Sequence, residues 1–340
     1  MTTTERPNRQ ILLVERPTGK LEERCFRLAE STIGEPAPGE ALCRTILLSI
    51  DAANRAWMQG RTYREQLSAG DVMAGGTLSE VVAVNGAQIP VGTIVMCESG
   101  WQEYANLPAG RLMPINVRGE LTHHLSVLGV TGLTAYFGLL KIGEPKAGQT
   151  VVVSAAAGAT GNVVGQIARI QGARAVGVTS SDDKNRMLER DLGFDAAVNH
   201  RSDTFFEDLR AACPNGIDVY FDNVGGKVLE AVLPLMKSHC RIVCCGVVSQ
   251  YDTATPAPGP SGVPGQLVVK RLRMEGFLVS DFLAEWPAAT QQLADWVANG
   301  QLKVLEDVYE GLERAPAALI GLLNGNNTGK RMVRVGPDRA

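Results

Sequence analysis

The chain has 340 residues, 45% of them apolar and 5% aromatic, with 33 Lys and Arg against 36 Asp and Glu. That length allows two domains and a large core. A net charge of −3 favours neither nucleic acid nor an anionic membrane as partner, and no apolar run is long enough to span a bilayer. The opening Met1-Thr2-Thr3-Thr4-Glu5-Arg6-Pro7 lacks the apolar core of a secretory signal. The cysteines Cys25, Cys43, Cys97, Cys213, Cys240, Cys244 and Cys245 are odd in number and scattered. They read as free thiols in a reducing compartment, which points to the cytoplasm.

From Arg9 to about Pro114 short strands are predicted at Ile11–Val14, Ala41–Ile50, Leu78–Val84, Thr93–Cys97 and Tyr104–Leu107. Gly, Pro and Asn punctuate them, as in an all-β unit. From Leu125 to about Val279 strands and helices alternate. Strands are expected at Thr150–Ser154, Ala175–Thr179, Ala196–Asn199, Ile217–Asp222, Cys240–Cys245 and Met274–Val279. Helices are expected at Val163–Ile170, Asp183–Leu192, Phe205–Ala212 and Val228–Met236, with Thr204-x-x-Glu207 as a capping box for the third. Six apolar strands with intervening helices predict an α/β domain, a parallel sheet covered on both faces. The Pro/Gly-rich stretch Thr255–Gly265 reads as a loop without regular structure, either at a ligand site or as a surface linker. A helix follows from Pro287 to Asn299, and strand character returns at Lys330–Val335.

The stretch Val151 to Gly165 carries the strongest signal. A β-branched run enters a glycine turn at Gly158, Ala159, Thr160 and Gly161, and an apolar-periodic helix follows. That is how a protein cradles a pyrophosphate, although Ala156 stands where the usual first glycine would be. The second strand ends Thr179-Ser180-Ser181 instead of in the carboxylate that would bind the ribose 2′-OH of NAD. Small hydroxyls leave room for a 2′-phosphate, and Lys184 reads either as its partner or as an ordinary solvated lysine. Asp182 and Asp183 read as first-turn residues favoured by the helix dipole. Asn223, in Asp222-Asn223-Val224-Gly225-Gly226, reads as a cofactor contact or as part of a turn.

No His-Glu-x-x-His, paired Cys-x-x-Cys or Gly-x-Ser-x-Gly element occurs, so no metal ligands and no activated nucleophile are expected. Cys240, Cys244 and Cys245 read as core thiols. A bound nicotinamide would then carry the chemistry, with the protein orienting and polarising the substrate. Tyr251, just past the fifth strand, is the first candidate for a donor to a substrate oxygen, and Tyr63 the second.

The chain resembles a zinc-independent medium-chain dehydrogenase/reductase, within the group of prostaglandin/leukotriene reductases, alkenal double-bond reductases and curcumin reductases. The resemblance is carried by Gly132-Leu133-Thr134-Ala135-Tyr136-Phe137-Gly138, Ala155-Ala156-Ala157-Gly158-Ala159-Thr160-Gly161, Val164-Gly165-Gln166-Ile167-Ala168, Phe221-Asp222-Asn223-Val224-Gly225-Gly226, Ser249-Gln250-Tyr251 and Asn327-Thr328-Gly329-Lys330. It implies a GroES-like β domain over 1–125, completed by 305–340, and a doubly wound Rossmann domain over 126–304. It implies NADPH, with Lys184 at the 2′-phosphate and His200 near it, where protonation would make affinity pH-sensitive. Asn223, Asn327 and Thr134 would contact the cofactor, and Tyr251 would sit near the substrate carbonyl. The whole expected cofactor set is Thr134, Gly158, Ala159, Thr160, Gly161, Ser180, Lys184, His200, Asn223, Cys245, Tyr251, Phe277 and Asn327. The implied reaction is reduction of the C=C bond of an α,β-unsaturated ketone or aldehyde, the small-molecule partner. The implied assembly is a homodimer. A quinone or carbonyl reductase on the same scaffold, or a non-catalytic NADPH-binding protein, are the competing readings. The chain departs from the family at Ala53, where many relatives carry a substrate-side tyrosine, and at Val130-Thr131, where relatives have Met-Pro.

Overall fold

The computed structural model describes residues 5–338 apart from 61 and 63. The candidate Tyr63 therefore lies outside the described residues. The N-terminal part holds β1 (Arg6–Leu13), β2 (Phe26–Ile33), β3 (Glu40–Ser49), the helix α1 (Ala53–Gln59), β4 (Thr77–Val84), β5 (Ile94–Cys97), β6 (Tyr104–Pro108) and β7 (Met113–Pro114). Next comes α2 (Val130–Phe137), followed by β8 (Thr150–Ser154), α3 (Ala159–Ile170), β9 (Arg174–Thr179), α4 (Asp182–Leu192), β10 (Ala196–Asn199), α5 (Phe205–Ala212), β11 (Ile217–Asp222), α6 (Gly226–Val232), β12 (Met236–Cys244), α7 (Val263–Lys270) and β13 (Arg273–Gly276). The chain ends with α8 (Trp286–Ala298), β14 (Glu306–Glu310), α9 (Ala315–Leu323) and β15 (Lys330–Arg334).

Two larger sheets organise the molecule. The middle of the chain forms a six-stranded parallel sheet in the order β10-β9-β8-β11-β12-β13. Strand order runs outward one way from β8 and the other way from β11. The switch point therefore lies between those two strands, which is where a dinucleotide binds in a doubly wound sheet. The second sheet is mixed, in the order β14-β15-β3-β4-β5-β7, with β6 paired to β3 and the C-terminal strand β15 against β3. The doubly wound Rossmann sheet and the separate mixed sheet are the expected fold class.

The central parallel strands β8 and β11 are buried throughout, which is why their mostly apolar sequences located them. Gly165 lets helix α3 pack directly on Phe194, in the turn between α4 and β10: a Cβ there would lie 1.9 Å from the Phe194 ring.

Several expectations are corrected. β2 mixes apolar, charged and hydroxyl residues, is mostly half-buried or exposed, and pairs only with β1, so it carries no apolar signature. The N-terminal unit is not all-β, since α1 opens from Ala52 without a side-chain cap. The Thr255–Gly265 stretch is irregular only as far as Gly262. Helix α7 starts at Val263 and carries Pro264 in its first turn, where a missing N–H costs nothing. The capping box is absent, because the Thr204 hydroxyl donates to Asp208 Oδ2 (2.8 Å) and makes no bond to the helix backbone. The expected helix Val228–Met236 ends at Val232, and a 3-10 turn over Leu233–Leu235 delivers Met236 into β12. The last parallel strand stops at Gly276, leaving Phe277 beyond its carboxyl end.

Gly165→Ala should lower unfolding free energy by about 1–3 kcal/mol through overpacking against Phe194. Urea denaturation with an unchanged midpoint would contradict that packing.

Candidate active site

The carboxyl edge of the parallel sheet collects most of the expected residues. After β8 the chain turns at Ala155, which takes a left-handed conformation (φ 49). Ala156 is an ordinary buried residue whose N–H donates to Val178 O (3.0 Å). The unusual backbone angle thus falls on Ala155, and Ala156 fits without a glycine. Gly158 is the N-cap of α3, and no side chain caps it. A Cβ on Gly161 would lie 2.3 Å from Ala155 O, so only glycine lets the helix start this close to the strand end. The Asn162 N–H reaches back to Gly158 O (3.2 Å), and the half-buried turn at Gly158, Ala159 and Thr160 ahead of it presents a helix N-terminus.

A loop before β15 crosses this turn. Gly329 N–H donates to Ala157 O (2.8 Å), and Lys184 Nζ donates to Gly325 O (2.7 Å). Asn327 sits in the same loop, its Nδ2 donating to Gly329 O (3.2 Å). A Cβ built on Gly325 would be 3.4 Å from Ser180 Oγ and 3.7 Å from an Arg201 guanidinium nitrogen. Lys184, Ser180 and Arg201 thus converge at the ends of β9 and β10. Burial, followed by the charges of Arg201 and Arg331, holds the Lys184 ammonium below its ordinary pKa. Arg331 is neutralised by Asp307 (2.6 Å), whereas Lys184 and Arg201 have no carboxylate at ion-pair distance among the described residues. The nearby acids are committed elsewhere: Asp182 Oδ1 accepts from Asn199 Nδ2 (3.0 Å), and Asp183 pairs with Arg186 within α4. His200 closes the cluster with its ring edge-on to Phe205. Burial, then Arg201, pushes its pKa down, so any charge from His200 enters only at more acid pH than an ordinary imidazole would give. Arg201 was not legible as a site residue. Its only signal is that it follows His200 at the end of β10.

The middle of the edge is built on Asp222. Its Oδ1 accepts from Tyr220 O–H (2.9 Å), Ser154 O–H (3.1 Å), Val224 N–H (2.9 Å) and Gly225 N–H (2.7 Å). Asn223 is held beside it, with Nδ2 donating to Ser154 O (2.7 Å). Cys245 N–H donates to Asp222 O (2.9 Å), so the end of β12 is fixed to the same turn. Burial, then the Asp222 charge, lifts the Cys245 thiol to about 12 and the Cys244 thiol to about 11. Cys244 and Cys245 are only half-buried, flanking the core clusters.

Tyr251 follows the 3-10 turn Val248–Gln250, its N–H bonded to Val248 O (3.1 Å). It is half-buried, and that burial raises its phenol pKa above the ordinary value, with a smaller push from Cys245. The phenol therefore keeps its proton near neutral pH and can donate. Phe277 leans over Gly138, where a Cβ would lie 2.5 Å from its ring. Thr134 is on α2, its hydroxyl donating back to Val130 O (2.7 Å). In sheet order, the edge runs from Lys184, Arg201 and His200 through the glycine turn and Asn223 to Cys245, Tyr251 and Phe277. Among the described residues no three His, Cys, Asp or Glu side chains gather as a metal site would require.

Residues 9–115 match a family described as the N-terminal domain of oxidoreductase, and residues 159–297 one described as zinc-binding dehydrogenase. The chain is 40% identical to the NADPH-dependent curcumin reductase of Escherichia coli over 97% of its own length and 98% of that protein. It is 41% identical to prostaglandin reductase 1 of Mus musculus over 91% of its length and 93% of that protein. A solved structure of CurA from Vibrio vulnificus in complex with NADPH superimposes with a TM-score of 0.92 at 40% identity, covering 97% of this chain and 99% of that one. The chain belongs to the medium-chain dehydrogenase/reductase family, in the group that holds the prostaglandin and curcumin reductases.

Proposed function

We propose that this protein reduces the C=C bond of α,β-unsaturated ketones or aldehydes with NADPH, without zinc. The observation that carries the reading is the order of groups along the carboxyl edge: two cations without a carboxylate partner among the described residues at one end, a glycine-lined helix N-terminus in the middle, and a proton-holding phenol at the other. Full-length likeness to enzymes named for curcumin and prostaglandin reduction supports the substrate class.

NADPH, when bound, supplies the hydride. Lys184 and Arg201 would hold its 2′-phosphate, with Ser180 and His200 beside them. The N-terminus of α3 at Gly158, Ala159, Thr160 and Gly161 would hold its pyrophosphate. Asn223, Asn327, Thr134, Cys245 and Phe277 would line the path to its nicotinamide end. There Tyr251 O–H donates to the substrate oxygen. Negative charge would grow on that oxygen as the double bond is reduced, and the Tyr251 phenol, a donor already in place, would stabilise it without reorganisation. A proton then reaches the α-carbon, leaving the saturated carbonyl compound. The raised thiol pKa values keep Cys244 and Cys245 protonated, which slows their attack on electrophilic substrates.

We further assign 1–125 with 305–340 to the GroES-like substrate domain and 126–304 to the Rossmann domain, and place the protein in the cytoplasm, its seven cysteines being free. A homodimer joined at the edge strand β13 would cover Val268 and Val269 on α7, which are 75% and 69% exposed. A sedimenting mass of one chain would contradict that assembly.

Tyr251→Phe should lower kcat roughly 100- to 1,000-fold while leaving NADPH affinity unchanged. Wild-type turnover would remove Tyr251 from the reaction. Lys184→Ala and Arg201→Ala should each weaken NADPH binding roughly 10- to 100-fold and leave NADH binding unchanged. Titrations showing equal weakening for both cofactors would contradict a 2′-phosphate site.

A further inference from the structure

Arg55 lies on α1, in the N-terminal unit, yet its guanidinium reaches the loop that carries Tyr251 through Nε. Its side chain is 0% exposed. Nε donates to Asp252 Oδ1 (3.1 Å) and one terminal nitrogen donates to Gly19 O (2.7 Å). Asp252 Oδ1 also accepts the Leu21 N–H (2.5 Å). Gln59 Nε2, one helical turn beyond Arg55, donates to Thr253 O (3.4 Å). Three donors from the N-terminal unit therefore grip the two residues that follow Tyr251.

The backbone at Asp252 is left-handed (φ 55). A side chain makes that conformation strained, and it persists only where its surroundings over-determine it. Here a single carboxyl oxygen, held from two sides, does so. Upstream, Tyr251 is held by the short 3-10 turn over Val248–Gln250 and by a hydrogen bond between its phenol and the Val247 backbone. Downstream of Thr253 the chain enters the Pro/Gly stretch. The bonds to Asp252 are thus the anchor on the downstream side of the phenol, and the one that comes from the N-terminal unit. Both charges of the pair are largely out of water, with Asp252 15% exposed, so neither is easily lost while the other stays.

We propose that Arg55 and Asp252 form a clamp between the two units that positions Tyr251 for its hydrogen bond to the substrate oxygen. Arg55 is a positioning residue, acting through Asp252. The inference rests on the reading of Tyr251 as that donor. It also explains how a phenol on a loop is held firmly enough to serve: the second unit closes over the edge and fixes the loop in one geometry.

The test is a double-mutant cycle in the full-length protein. Asp252→Ala removes the clamp, and Asp252→Glu keeps the charge but displaces the carboxylate by one methylene. Each is made alone and together with Tyr251→Phe. With Tyr251 in place, each should lower kcat roughly 10- to 100-fold, the cost of a small misplacement. NADPH affinity, set at the far end of the edge, should not change. In the Tyr251→Phe background, where the donor is already gone, neither should lower kcat further. An equal fold-loss in both backgrounds overturns the clamp while leaving Tyr251 as the donor. Wild-type turnover in Tyr251→Phe alone overturns the reading of Tyr251 and the clamp with it. If Asp252→Ala fails to fold, Asp252→Glu supplies the same cycle.

Discussion

One carboxyl oxygen, Asp222 Oδ1, holds the edge on which everything else is arranged. It receives two hydroxyls and two backbone N–H groups, and these come from β8, from β11 and from the turn that leaves β11. Those are the two strands at which the sheet reverses its direction of growth. In a buried site each of those donors would be costly to leave unpaired, so the oxygen fixes the turn, and the turn fixes Asn223. The main-chain carbonyl of the same residue accepts from Cys245 and Gly246 N–H, which brings the end of β12, and with it Tyr251, into the same frame.

Around that anchor the two units share the work. The parallel sheet supplies the helix N-terminus and the cations. The C-terminal tail returns from the mixed sheet to lay Gly325–Gly329 across the glycine turn and onto Lys184. The N-terminal unit reaches the other end of the edge through Arg55. Both ends of the cofactor path are therefore bounded by contacts between units, and a change in how the units sit would be felt at the phosphate end and at the phenol alike.

Much of this was legible in the sequence, for physical reasons that also mark where legibility ended. Strands buried on both faces are mostly apolar, so β8 and β11 stood out with their ends in place. β2, solvated on one side, did not. Proline density suggested no helix at Val263, because composition does not distinguish a first-turn proline from one that breaks a helix. The glycine turn, Lys184, Asn223 and Tyr251 were marked by their position after strands. Arg201 and the pair Arg55–Asp252 were not, because their meaning lies in partners far away in the chain: Arg55 and Asp252 are separated by 197 positions. The four-way bonding of Asp222 was hidden for the same reason, although its neighbour Asn223 was not.

The central claim is that this edge delivers a hydride to the β-carbon and not to the carbonyl carbon itself. The direct measurement is NADPH-driven turnover of a simple α,β-unsaturated ketone with the product identified by mass and NMR. The account predicts the saturated ketone, formed with one NADPH consumed per molecule. An allylic alcohol, or no NADPH consumption across enones and enals despite tight binding of NADPH, would contradict it.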